Sequence, residues 1–239
     1  GDGNLEYMAP AVTGAANAPA LTPTIQPWKW VHLIFRELIE SYAAQFPNND
    51  VAVFIDTNPS FSIYTELAIS AGDKLIVPVN ADDSSRVATN ALFILLHGQI
   101  PPHPIYGSWT YAAKATSHGM VVPQVHVIVG NRLTQYDGAA SAFSALSDAT
   151  ADTLFQAYRH TPAYFSNRGH SAQNIQDFRQ TYSVALRDFN TAGVVSAHLG
   201  LPLSKLNGGH HSIHGQSIQI NSGRVTDCLD AVDGLIAIM

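Results

Sequence analysis

Residues 51–60 read VAVFIDTNPS, and the fold of the chain turns on that decamer. Five apolar residues, Val51 to Ile55, run without alternation into Asp56, and Thr57, Asn58 and Pro59 follow. An unbroken apolar run suits a parallel strand covered on both faces; a strand with one wet face would alternate. Pro59 has no N–H to give a ladder, so the strand is expected to stop near Asp56. Asp56 then stands at the carboxyl edge of a buried sheet, where open α/β folds hold their ligands. A carboxylate there suits a hydrated Mg²⁺, which takes one or two carboxylates together with waters and phosphates. The plainer alternative is that Asp56 caps the turn into the next helix.

The surrounding pattern repeats the theme. Upstream, Trp28 to Phe46 shows helical spacing in Val31, Phe35, Leu38, Tyr42 and Phe46, and Pro47-Asn48-Asn49 ends it. Downstream, Ser60 or Ser62 can cap a helix running to Ala71, with Gly72 as its stop. Lys74 to Val79 (KLIVPV) reads as a second buried strand, and Asp83 or Ser84 caps a helix that Gly98 stops. Strand, helix, strand, helix predicts right-handed parallel crossovers. Pro and aromatic residues fill 99–119, with a short helix expected around Trp109 to Ala115. A third strand is expected over Val121 to Val129, ending at Gly130-Asn131-Arg132. Helices are then expected from Asp137 through Tyr158 and from Ser171 to Phe189, and 193–199 is ambiguous. Lys205 to Ile220 reads as a Gly- and His-rich hairpin, and Val225 to Met239 as a closing helix. Ahead of all this, residues 1–27 are Ala-, Pro-, Thr- and Asn-rich, with a short helix face in Leu5, Met8 and Val12.

Three strands that end in Asp56-Thr57-Asn58, Asn80-Ala81-Asp82-Asp83 and Asn131-Arg132 should present those polar ends on one sheet edge. This order of motifs resembles the ParA/MinD family of deviant-Walker ATPases. The family shows an apolar strand ending in Asp-Thr-x-Pro-Ser, a helix of small residues, and a strand ending in Pro-Val. IDTNPSFSIYTELAISAGDKLIVPVNADDSS carries that series, and VHVIVGNRL resembles the family's later strand. The likeness covers about residues 50 to 145, and more loosely 201 to the end.

The resemblance implies a three-layer, mostly parallel α/β sheet of the P-loop NTPase type in a single domain. Residues 1–27 are its lead-in, 28–198 its strand-helix core and 199–239 its closing hairpin and helix. It implies that Asp56 acts on Mg²⁺ through water, and that Thr57 and Asn58 shape the loop facing the γ-phosphate of ATP. Pro59 and Ser60 complete that motif. Asn131 is implied to contact adenine, and Arg132 to stack on the base or pair with a carboxylate; the alternative for Asn131 is a turn residue after Gly130. The implied activity is Mg-ATP-dependent partition or positioning of a plasmid, chromosome or other cargo. A homodimer that binds DNA and a ParB-like activating partner go with it.

The departure from the family is equally plain: no G-K-[ST] occurs anywhere in the 239 residues. Without a glycine-rich cradle and its lysine, Asp56 cannot by itself hold the β- and γ-phosphates. The expectation is therefore the carboxyl-terminal part of an ATPase, lacking its amino-terminal strand and phosphate loop. An upstream segment or another chain would complete it. The opening residues GDGNLEYMAP resemble a segment just past that loop. The rival expectation is an interaction module that keeps the sheet and binds no nucleotide.

Composition sets the outer limits. The apolar fraction is 46%, enough for a globular core, while 13% charged is low for a soluble surface and suggests a covered face. Net charge of −6 gives no global pull towards nucleic acid, so DNA binding needs a local patch. Arg159, Arg168, Arg179 and Arg187 form a loose group that reads as solvated helix-face charge. One cysteine, Cys228, precludes an internal disulfide and fits a reducing compartment. With no signal peptide and no apolar run of spanning length, the expected location is cytoplasmic, with no membrane partner. His210, His211 and His214 sit among glycines, so a hairpin explains them better than a helical metal site. Asp82 and Asp83 read as helix caps.

Overall fold

The computed structural model describes residues 4–20, 22, 24–57, 62–80, 82–130, 140–186 and 189–239. It is an α/β protein with a three-stranded parallel sheet in the order β1-β2-β3. β1 is Lys74–Val79, β2 is Gln124–Gly130 and β3 is Ser183–Ala185. β2 lies in the centre because it is covered on both faces: Val125 to Val129 are all buried, Val127 is 0% exposed, and the one polar side chain among them, His126, has its Nε2 2.8 Å from Met239 O. β1 is an edge strand, more exposed than the expected buried strand, with only Val77 buried. The edge position accommodates Pro78, which gives nothing to a ladder.

β3 replaces the second half of the expected helix over 171–189. That helix, α7 (Ile175–Tyr182), is capped by Asn174, whose side chain accepts from Asp177 N, and it stops at Tyr182. Val184 then pairs with Val129 in parallel register, and Leu186 N donates to Gly130 O at 2.7 Å. Pairing with a buried strand outweighs a weak local helical preference.

The chain divides into two compact units. Residues 1–75 and 91–124 form one, and 76–90 and 125–239 the other. In the first, α1 (Asn4–Ala16), α2 (Pro27–Ala43), α3 (Ile63–Ala71) and α5 (Tyr111–Ser117) enclose a core. Ala16, Trp28, Val31, Leu67, Ile69 and Tyr111 fill it, together with Leu96 from the end of α4 (Asp83–His97). Pro27 starts α2 in the first turn, where its missing N–H costs nothing. Arg36 ties α2 to the end of α3, donating to Ser70 O, Gly72 O and Asp73.

The second unit packs α6 (Ala140–His160) and α7 around an aromatic cluster of Phe155, Tyr158, Phe165, Phe178 and Tyr182. The two buried phenols are satisfied: Tyr182 Oη donates to Ser166 O, and Tyr158 Oη accepts from Ala172 N. α8 (Asn190–Leu199) settles the ambiguous 193–199 as helix. It shares a second core with the hairpin β4 (Gly209–Ile213) and β5 (Gln216–Ile220) and with α9 (Ser222–Ile238). The hairpin turns through His214 (φ 47°) and Gly215 (φ 80°). Two successive left-handed residues are what a tight two-residue hairpin loop requires. Arg168, read from sequence as solvated, instead donates to Ile238 O and His126 O. Arg179 pairs with Asp148 at 2.6 Å.

One element differs sharply from expectation. Residues 51–57 lie outside any strand, and all but Ile55 are exposed. Val53 is 46% exposed and Phe54 70%. A strand apolar on both faces is stable only with neighbours at its edges and cover on both sides. The described residues of the first unit supply no sheet to it. None of the described helices is long and apolar enough to cross a membrane.

Candidate functional site

The residues singled out by sequence fall into three groups. Asp56 and Thr57 are described, exposed and outside any strand. Asn58 and Pro59 lie outside the described residues, as do Asn131 and Arg132, which directly follow the last residue of β2. The third group, at the end of β1, is well defined.

There, Asp82 rather than Asp83 or Ser84 is the helix cap. Its Oδ1 accepts from Ser85 N at 2.6 Å, and Ser85 Oγ accepts from Asn80 N, two residues before the cap, at 2.9 Å. The first bond satisfies an orphaned donor of the first turn and the second ties that turn to the end of β1, which fixes the entry into α4. Asp83 adds a carboxylate to the first turn and lies 3.4 Å from Arg86. Both carboxylates are thereby spent on the helix start. The parallel order of β1 and β2 puts this capped turn and the Gly130 end of β2 on the same sheet edge. Asp56 offers one exposed carboxylate, a donor set compatible with a Mg²⁺ whose other ligands are waters and phosphate oxygens. Among the described residues no group of three or more His, Cys, Asp or Glu gathers as a metal cage.

A second constellation, in the first unit, escaped the sequence reading. His32 is 0% exposed on the inner face of α2. Its Nδ1 is 2.8 Å from Trp28 O and its Nε2 is 3.0 Å from Glu66 Oε2. A carbonyl and a carboxylate both accept, so each ring nitrogen faces a position that needs a proton. Trp28 stacks on His32 with ring centroids 3.9 Å apart, and on His118 at 5.2 Å. Burial first, then the charges of Lys29, Lys114 and His32, hold the His118 pKa below the usual histidine value. Burial pushes the Tyr111 phenol up; its hydroxyl meets Ser70 Oγ at 3.0 Å.

Trp28, His32, Glu66 and Tyr111 bound a cavity of about 200 Å³, lined also by Thr13, Asn17, Trp109 and Lys114. The one signal in the sequence is a titratable residue on the apolar face of an amphipathic helix. Its partner lies 34 residues away, and spacing along one helix cannot reveal that. Comparisons with protein-family models, with curated proteins and with solved structures give no match.

Proposed function

We propose that the chain is the carboxyl-terminal part of a ParA-like ATPase, acting in partition or positioning of a cargo with Mg²⁺ and ATP. The observation that carries the reading is the order of elements on the sequence. Asp56-Thr57-Asn58-Pro59-Ser60 precedes a helix of small and apolar residues, α3, then β1 ending in Pro78-Val79, and later β2 ending directly before Asn131-Arg132. The parallel sheet supports it, since nucleotide sites of open α/β folds sit at the carboxyl edge.

In this reading Asp56 holds a water of the Mg²⁺ shell, which neutralises charge on the transferred phosphoryl group. Thr57 and Asn58 shape the loop beside it, Pro59 sets its turn, and Asn131 and Arg132 face the base. The phosphates need a Gly-Lys-[ST] loop that these 239 residues do not contain. It comes in this reading from a further segment, on the same chain or another. The same segment supplies the neighbours that Val51–Ile55 lacks. A homodimer, a ParB-like activator and DNA belong to the proposal; DNA would need a basic patch that Arg168 and Arg179, both engaged within the second unit, do not provide.

The missing phosphate loop favours one second reading: an interaction module whose exposed apolar face pairs with another protein and which binds no nucleotide. Binding and hydrolysis of labelled ATP with Mg²⁺ by the protein isolated from its source separates the two. The ATPase reading expects saturable binding, and at least a hundredfold loss of hydrolysis in Asp56→Ala. Absence of binding, or an Asp56→Ala variant with unchanged turnover, contradicts it.

A further inference from the structure

The cavity behind Trp109 brings together groups that no nucleotide chemistry uses. Its walls come from α1, α2, α3 and α5, all within the first unit. Glu66 is one end: Oε2 is held by His32, and its carboxylate is about a quarter exposed, leaving Oε1 to accept. Lys114 is the other end. Its Nζ donates to Asn17 Oδ1 at 3.1 Å, a neutral partner that leaves the ammonium charge and two further N–H donors unspent. Among the described residues no ion pair joins Lys114 to Glu66 or to any other carboxylate. A carboxylate and an ammonium thus line one small space without meeting each other.

Between them, Trp28, Trp109 and Tyr111 supply apolar surface, and Trp109 is 67% exposed. The Glu66 carboxylate is also fixed before anything binds. His32 is anchored to the backbone of α2 and stacked on Trp28, so holding Glu66 costs no reordering on binding. Burying such a pair is expensive, and a leucine at position 32 would pack α2 against α3 at less cost. At about 200 Å³ the cavity is smaller than the usual site for a drug-sized ligand.

We propose that this cavity binds a small zwitterion, a free α-amino acid. Its carboxylate meets Lys114 and Asn17, its ammonium donates to Glu66 Oε1, and its side chain lies against Trp109 and Tyr111. No carboxylate among the described residues pairs with Lys114, so its unspent charge makes the contact to the ligand's carboxylate the stronger one. The site is independent of Asp56, and its occupancy does not rest on ATP binding.

The test is a titration of the folded 239-residue chain with each of the twenty amino acids, with acetate and with methylammonium. It is read by tryptophan fluorescence, since Trp28 and Trp109 line the cavity. The expected result is a saturable change with at least one amino acid. Acetate binds at least tenfold more weakly, about 1.4 kcal/mol, and methylammonium gives no response. Lys114→Met, a change outside the core, weakens the best amino acid at least tenfold. Glu66→Gln abolishes the preference for the amino acid over acetate, because the amide keeps the shape and loses the charge. Circular dichroism confirms that both variants are folded. No saturable response to any amino acid, an equal response to methylammonium, or unchanged affinity in Lys114→Met overturns the proposal.

Discussion

Two β-branched-rich runs, Val51–Ile55 (VAVFI) and Val125–Val129 (VHVIV, interrupted by His126), have opposite fates. The second is buried throughout and forms the core of β2, flanked by β1 and β3. The first is mostly exposed and lies outside any strand. Composition separates them only by His126, whose Nε2 lies 2.8 Å from Met239 O, and by that measure the exposed run is the more apolar of the two. What decides their fates is company: β2 has a hydrogen-bonded neighbour on each side, whereas the described residues give Val51–Ile55 none. A run that is apolar on both faces states a demand for cover, and only the rest of the fold can meet it.

That contrast can be broken first at its strongest point. Val127→Asp puts an uncompensated carboxylate at a 0% exposed position and is expected to cost at least about 4 kcal/mol, enough to unfold the second unit. Urea denaturation followed by circular dichroism reads it. A variant folded at wild-type denaturant concentrations would deny that β2 is central.

Next in size comes Gly208→Ala. A Cβ there would stand 2.8 Å from Ser222 Cβ and 2.9 Å from Ser222 N, at the start of α9, so backbone has to shift. The expected loss is about 1–3 kcal/mol, visible as a lower denaturation midpoint. An unchanged midpoint would mean that the hairpin and α9 are less closely joined than they stand here.

An acid titration probes the first unit. Burial lowers the His97 pKa from the usual 6.5 to about 4. The unfolded chain therefore takes up a proton that the folded chain refuses. The stability this neutral ring preserves is intact above pH 6.5 and falls as pH drops through the window towards 4. His97→Gln should flatten that decline in a pH series of melting temperatures; an identical slope in the variant would assign the decline to other groups.

The smallest effect belongs to Val53→Asp, expected within about 0.5 kcal/mol because the side chain is already in water. A loss comparable to that of Val127→Asp would show that the run is covered after all.

The same contrast measures how far sequence alone reaches. β1 was legible to its boundaries, because KLIVPV is short, bounded by Asp73 and Asn80, and followed by a capped helix. α3 was legible from the choice of Ser60 or Ser62 at its start and Gly72 at its stop; the structure puts Ser62 at the N-cap position, with no bond from its side chain, and Gly72 at the C-cap. β3 was not. Residues 183–185 continue the helical spacing of α7, and only parallel pairing with Ile128 to Gly130 explains the switch. Nor was the His32–Glu66 pair, since helical periodicity files an inward-facing histidine with the core. The edge at Asn80 to Asp83 was readable as capping, though it took the geometry to assign the cap to Asp82.

The contrast between the two runs is tested most directly by hydrogen–deuterium exchange of the folded chain, comparing amides of 51–57 with those of 125–129. The account predicts slow exchange across β2, set by opening of the whole second unit, and exchange near the unfolded rate across 51–57. Equal protection in the two segments would contradict it. Val51–Ile55 would then already be a paired strand, with no place left beside it for the segment that carries the phosphate loop.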